Sequence, residues 1–141
     1  MTSQGTTPVS HSPECSRILV VDDDAGIRDM LAQLLEDEGY GVVTAADGQI
    51  ALRQLRQGNS PPCLILLDLM MPVMNGVQFR SEQQQDPWLA SIPVVVISAH
   101  LSGRQRAYTV QAADYLEKPV DLPKLLDIVA RYCGASASGG A

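Results

Sequence analysis

Five short apolar runs, each followed by a segment of different period, constrain this chain more than any other feature. Ile18–Val21, Val42–Ala45, Cys63–Leu67 and Val94–Ser98 are short and largely apolar, the first rich in β-branched residues, and Asp114–Leu116 is a briefer fifth. Runs of this kind, bounded by turn residues, suit strands buried on both faces. Ile27, Met30, Leu31, Leu34 and Leu35 then recur at helical spacing before a stop at Gly39. The Asp47–Gly48 turn signal leads to Ala51, Leu52 and Leu55, a short helix ending near Gly58. A loop with Pro72 and the turn pair Asn75–Gly76 precedes a helix over Val77–Gln85, and a short helix is expected at Arg104–Gln111. Leu122, Leu125, Leu126, Val129 and Tyr132 stripe a last helix, with Pro123 tolerated in its first turn.

Strands alternating with helices imply an α/β fold of five βα units around a parallel sheet with helices on both faces. Short connections and right-handed crossovers favour the doubly wound form. Ligands in such sheets sit outside the carboxyl ends of the strands, where strand order reverses. The flanks differ in composition. Residues 1–16 are rich in Ser, Thr and Pro and read as a disordered arm, residues 134–141 read as a flexible Gly/Ser/Ala tail, and the domain is expected at 17–133.

The chain has 141 residues, room for one domain, and a formal net charge of −6 with no Lys/Arg-rich run, which speaks against direct nucleic-acid binding. Cys15, Cys63 and Cys133 lack metal-site spacing, and an odd number does not suggest a disulfide framework. Cys63 reads as a small buried hydrophobe. The first sixteen residues lack the features of a signal peptide, and no apolar run approaches a membrane span. The expectation is a reduced, cytoplasmic protein away from membranes.

Four of the five strands end in polar, reactive residues: Asp22–Asp23–Asp24, Asp68, Ser98, and Lys118 just past the fifth. Each alone has a bland reading. An acidic triplet before a helix is a cap plus solvated charge, with Asp24 the cap; Ser98 is a strand-end hydroxyl; Lys118 is a snorkelling lysine. Asp68 is harder to dismiss, because apolar residues flank it and a carboxylate there needs a partner to stay charged. A sheet gathers all of them on one edge. Carboxylates about 4 Å apart repel by roughly 4 kcal/mol at an intermediate dielectric unless a cation intervenes. Incomplete oxygen coordination suits Mg²⁺, and Lys118 and Ser98 add a cation and a hydroxyl for phosphoryl oxygens. An aspartate nucleophile, a metal and a lysine form a phosphoryl-transfer constellation.

The runs Ile18–Asp24, Leu67–Pro72 with Asn75–Gly76, Val94–Ala99 and Asp114–Pro119, in that order, resemble the response-regulator receiver family over about Arg17 to Tyr132. The resemblance implies a flavodoxin-like sheet of order 2-1-3-4-5 and a switch, not a metabolic enzyme. It implies phosphorylation of Asp68 by a histidine kinase or a histidine phosphotransfer protein. Asp23, Asp68 and the Met70 backbone carbonyl would bind Mg²⁺ directly, and Asp22 largely through water. Lys118 would contact the phosphoryl group, Ser98 would hydrogen-bond it, and Tyr115 matches the switch aromatic that reports to an output partner. Small Ala99 would leave the approach open, and Lys118–Pro119 is expected to be cis.

Two departures concern assembly. The stretch between Ser98 and Tyr115 is about two residues shorter than usual for the family, and Gln111 stands where a glycine is usual. A monomer, or a dimer that avoids the fourth-helix face, is expected. Two alternatives compete. A degenerate receiver acting as a phosphorylation-independent binding module is disfavoured because the whole residue set is present. An aspartate-nucleophile phosphatase would need a general acid two residues after Asp68, where Met70 stands. His11 and His100 are too isolated for a histidine metal site.

Overall fold

In the computed structural model, residues 17–58, 61–69, 75–99 and 111–134 are described. Along the chain run β1 (Arg17–Val21), α1 (Ala25–Asp37), β2 (Gly41–Ala45), α2 (Gly48–Gln57), β3 (Leu64–Asp68), α3 (Gly76–Gln85), β4 (Val94–Ser98), β5 (Asp114–Glu117) and α4 (Leu122–Cys133). Each of these helices starts on an Asp or Asn cap. Asp24, Asp47 and Asp121 accept from the backbone N–H groups of Ile27, Ile50 and Lys124 at 3.1, 2.9 and 3.2 Å. Asn75 and Gln78 bond reciprocally, a capping box. Gly39, just past α1, takes a positive φ of 97° that L side chains resist.

The five strands pair in parallel in the order β2-β1-β3-β4-β5. Val21 lies beside both Ala45 and Leu67, Asp68 beside Ile97, and Ser98 beside Glu117. Alternation along each strand feeds two cores. Ile18, Val20, Leu64, Leu66, Val95, Ile97 and Leu116 meet Leu31 and Leu35 of α1 and Leu125, Ile128 and Val129 of α4. On the other face, Leu19, Val21, Ile65, Leu67, Val94 and Val96 meet Ala51, Leu52 and Leu55 of α2 and Phe79 of α3. The expected doubly wound fold and strand order are therefore those of the molecule.

The helix expected at Arg104–Gln111 falls, apart from Gln111, outside the described residues, as do the expected arm, most of the tail, Met70, Pro72 and His100. Gln111 itself sits in a turn at φ 59°, the left-handed region that favours glycine. It is held from α3, where Arg80 Nη2 donates to its carbonyl at 3.3 Å and Gln84 Nε2 to its side-chain oxygen at 3.1 Å.

Three sequence expectations need correction. Cys63 and Cys133 are disulfide-bonded, with Cα atoms 5.4 Å apart across 70 residues of sequence, so the expectation of a chain with reduced cysteines does not hold in the structure. The topology explains the pairing. Cys63 stands just ahead of β3 and Cys133 closes α4, which runs back against the strands, so both reach the amino-terminal edge of the sheet. Cys63 is also half-buried, at the rim of the α1/α4 core and not inside it.

Gly76 is the third correction, because it opens α3 and does not form part of a turn. Its N–H donates to the Leu69 carbonyl at 3.1 Å. A Cβ there would come within 2.7 Å of Leu69 Cα and 2.9 Å of the Asp68 carbonyl oxygen. The glycine lets α3 press on the backbone that leaves Asp68. Gly76→Ala should therefore lower unfolding stability by about 1–3 kcal/mol in urea titration, as overpacking against fixed backbone does. Gly41→Ala, where a Cβ would meet only Arg17 side-chain carbons at 3.5 Å or beyond, is the control and should change it less. Equal losses in the two variants would show that the close approach at Gly76 is not what selects glycine.

Candidate functional site

The site follows from register. Val21 pairs with Leu67, so the next residues, Asp22 and Asp68, leave β1 and β3 side by side at the carboxyl edge. This is the reversal point of the sheet, since the chain moves outward from β1 to β2 and returns across β1 to β3. Asp22, Asp68 and Lys118 each lie two residues beyond Val20, Leu66 and Leu116, three members of the α1/α4 core. Period-two alternation sends all three toward the same side.

Asp22 and Asp68 are only 2% and 5% exposed, whereas Asp23 is open to solvent. One carboxylate oxygen from each of the three lies within 4.8 Å of the others. Lys118 Nζ sits 2.9 Å from Asp22 Oδ2 and 3.4 Å from Asp68 Oδ2. Asp22 is fixed from several sides. Its Oδ1 accepts from Asp24 N–H at 2.9 Å, its own N–H donates to Ala45 O at 3.1 Å, and Arg28 Nη1 donates to its carbonyl at 2.8 Å. The Lys118 N–H donates to the Ser98 carbonyl at 2.8 Å, and the Lys118–Pro119 peptide is cis, as expected.

Burial works to lower the Lys118 pKa, but the hydrogen bond to Asp22 and the charges of Asp68 and Asp22 outweigh it and hold the ammonium above its usual range. Three carboxylates and one ammonium together still carry two negative charges. An oxygen-only donor set with that residual charge fits a hard divalent cation that keeps some of its water. The residues present therefore fit Mg²⁺.

The structure brings together Asp22, Asp23, Asp68 and Lys118 of the predicted set. Ser98, 1% exposed, ends β4 one residue beyond Ile97, the partner of Asp68. Tyr115 pairs with Val96 on the neighbouring strand and is half-buried against the α2/α3 core, its backbone N–H donating to Asp114 Oδ1 at 2.8 Å. Sequence reasoning missed Arg28, whose guanidinium fixes the Asp22 carbonyl. Its only signal was an arginine one turn into the helix that follows the acidic triplet. Lys118, expected to contact a phosphoryl group, makes its shorter contact here to Asp22 and not to Asp68.

A doubly wound five-stranded sheet that gathers acids, a hydroxyl and a lysine on its carboxyl edge defines a receiver-type α/β domain. The chain belongs to the response regulator receiver domain family, which it matches over residues 18–130. It is 39% identical over 137 residues to the alkaline phosphatase synthesis transcriptional regulatory protein SphR of Synechococcus elongatus, covering 89% of this chain and 51% of that protein. To the phosphate regulon transcriptional regulatory protein PhoB of Escherichia coli it is 42% identical over 118 residues, covering 82% and 49%. The chain thus spans about half the length of these two regulators. A solved receiver domain of a sensor histidine kinase from Pseudomonas aeruginosa, with a magnesium ion coordinated in its active-site cleft, superposes with a TM-score of 0.76 at 27% identity, covering 85% of this chain and 98% of that one. Such relatives are signalling proteins and not metabolic enzymes. Among the described residues, no helix is long and apolar enough to cross a membrane.

Proposed function

We propose that this receiver domain, spanning residues 17–133, accepts a phosphoryl group on Asp68 in a Mg²⁺-dependent reaction. The donor is a histidine kinase or a histidine phosphotransfer protein in the cytoplasm. The observation that carries this reading is the Lys118 ammonium shared between Asp22 and Asp68 within a three-carboxylate cluster. Asp23, Asp68 and the Met70 carbonyl would hold Mg²⁺, with Asp22 acting largely through water; the ion supplies charge neutralisation at the phosphoryl oxygens. An Asp68 oxygen attacks phosphorus as the P–N bond to the donor imidazole breaks, and the leaving nitrogen keeps that electron pair. Lys118 steadies the transferred oxygens, and Asp22 and Arg28 keep the pocket in register. The domain is read as a monomer, or as a dimer that does not use the usual fourth-helix face, with no direct nucleic-acid contact. A phosphorylation-independent binding module finds less support, since every side chain the chemistry needs is in the sequence.

Incubation with acetyl phosphate should add one phosphoryl mass per chain only with Mg²⁺ present, and Asp68→Asn should abolish it. Undiminished labelling of the Asn variant, by intact-mass spectrometry, would assign the chemistry elsewhere.

The same modification would act as a switch. Ser98 swings toward the phosphoryl oxygens, and Tyr115, two pairs back along β4, turns to alter the surface an output partner reads. Inverting a 1:99 balance needs about 5.5 kcal/mol, more than one charge-assisted hydrogen bond supplies, so the Lys118 contact and partner binding must contribute. Ser98→Ala should still bind beryllofluoride at Asp68, while the NMR shift of the Tyr115 ring shrinks relative to the wild type. Equal shifts in both proteins would remove Ser98 as the relay.

A further inference from the structure

The amino-terminal edge of the sheet carries chemistry that phosphorylation does not use. Cys63 N–H donates to Arg17 O at 2.8 Å just ahead of β3, and Cys63 Sγ is bonded to Cys133 Sγ at the end of α4. Asp68 ends the same strand. At roughly 3.3 Å per residue, Cys63 stands about 16 Å from it. Helix α4 starts just after the Lys118 loop and runs the opposite way. The disulfide therefore joins the far ends of two elements whose near ends build or adjoin the candidate site.

We propose that Cys63 and Cys133 form a reversible redox site, a second modification site that sets how firmly the carboxyl end of α4 is held. The inference rests on the proposed cytoplasmic location, because disulfides persist poorly where glutathione keeps thiols reduced, and those found there are mostly transient or sensing. Both residues are half-buried at the rim of the α1/α4 core, within reach of a small thiol. In the oxidising direction, one cysteine thiolate attacks glutathione disulfide and releases a glutathione thiolate. The second cysteine thiolate then attacks the protein sulfur of the mixed disulfide and releases the other. Two cysteine thiols lose two electrons, and one glutathione disulfide becomes two glutathione thiols.

The bond has a local consequence. When oxidised, the end of α4 is fixed covalently at Cys133 and by Tyr40 Oη, which donates to the Gly134 carbonyl at 2.7 Å. When reduced, the last turn keeps that hydrogen bond, a half-buried Tyr132 whose Oη donates to the Ala113 carbonyl at 3.4 Å in an exposed position, and an Arg131–Asp114 ion pair that is largely exposed at 3.3 Å. An end held so lightly opens locally at low cost. The cysteine pair therefore governs how the carboxyl end of α4, up to Gly134, is anchored.

The test equilibrates the full chain in glutathione buffers of graded thiol-to-disulfide ratio, quenches with acid and alkylates. Peptide mass mapping then separates Cys63 and Cys133 from Cys15. Amide hydrogen exchange and acetyl phosphate labelling of Asp68 run in parallel. Cys63 and Cys133 should lose alkylation together in one two-electron transition inside the series. Exchange over residues 129–134 should be about tenfold slower in the oxidised form, Cys133→Ser should match the reduced wild type, and Asp68 labelling should be equal in both states. Cysteines that stay alkylatable at every ratio, or protected at every ratio, overturn the reversible site. Exchange at 129–134 that ignores the redox state overturns its coupling to α4. Loss of Asp68 labelling in both states counts against the phosphoryl-transfer reading alone, while the cysteine transition still decides the redox proposal.

Discussion

One ammonium group balanced between two buried carboxylates organises this molecule. Lys118 Nζ reaches Asp22 at 2.9 Å and Asp68 at 3.4 Å in a pocket where both acids are nearly excluded from solvent. Unpaired charges there would be costly to bury. The remaining architecture serves the placement of these three groups. Pairing of β1 with β3 sets the acids side by side, and Lys118 is tied to the end of β4 through the Ser98 carbonyl. Gly76 lets α3 close on the backbone just past Asp68. Because the ammonium offsets only part of the acidic charge, the pocket is left favourable for a cation.

Much of this was legible in the sequence for a plain reason. Parallel strands buried on both faces must read as unbroken apolar runs, so polar residues collect where they end. Asp22, Asp68, Ser98 and Lys118 declared themselves in that way, and Asp24 announced the cap it provides to α1. Strand limits were less visible. Arg17 and Gly41 join β1 and β2 because pairing, not hydrophobicity, decides where a strand begins. Gly76 shows a deeper limit, since its composition signal is that of a turn while its cause is a helix pressed onto a neighbouring backbone.

What the sequence hid was long-range. Cys63 and Cys133 are separated by 70 residues, and an odd cysteine count gave no hint that topology returns the last helix to the start of β3. Arg28 belongs to the pocket through a backbone carbonyl, a partner that carries no side-chain signature. Gln111 marks a third case. The departure from glycine was visible, but not the Arg80 and Gln84 contacts that hold a left-handed glutamine in place. The outcome is one strand, β3, with a buried acid at its carboxyl end and a disulfide-bonded cysteine ahead of its amino end.

Calorimetric titration with Mg²⁺ as the only added ligand tests the central claim most directly. The account predicts one Mg²⁺ per chain for the wild type and a large loss of affinity in Asp23→Asn, whose exposed carboxylate can be neutralised without disturbing the core. No binding to the wild type, or equal affinity in the variant, would contradict the reading of Asp22, Asp23 and Asp68 as a cation site.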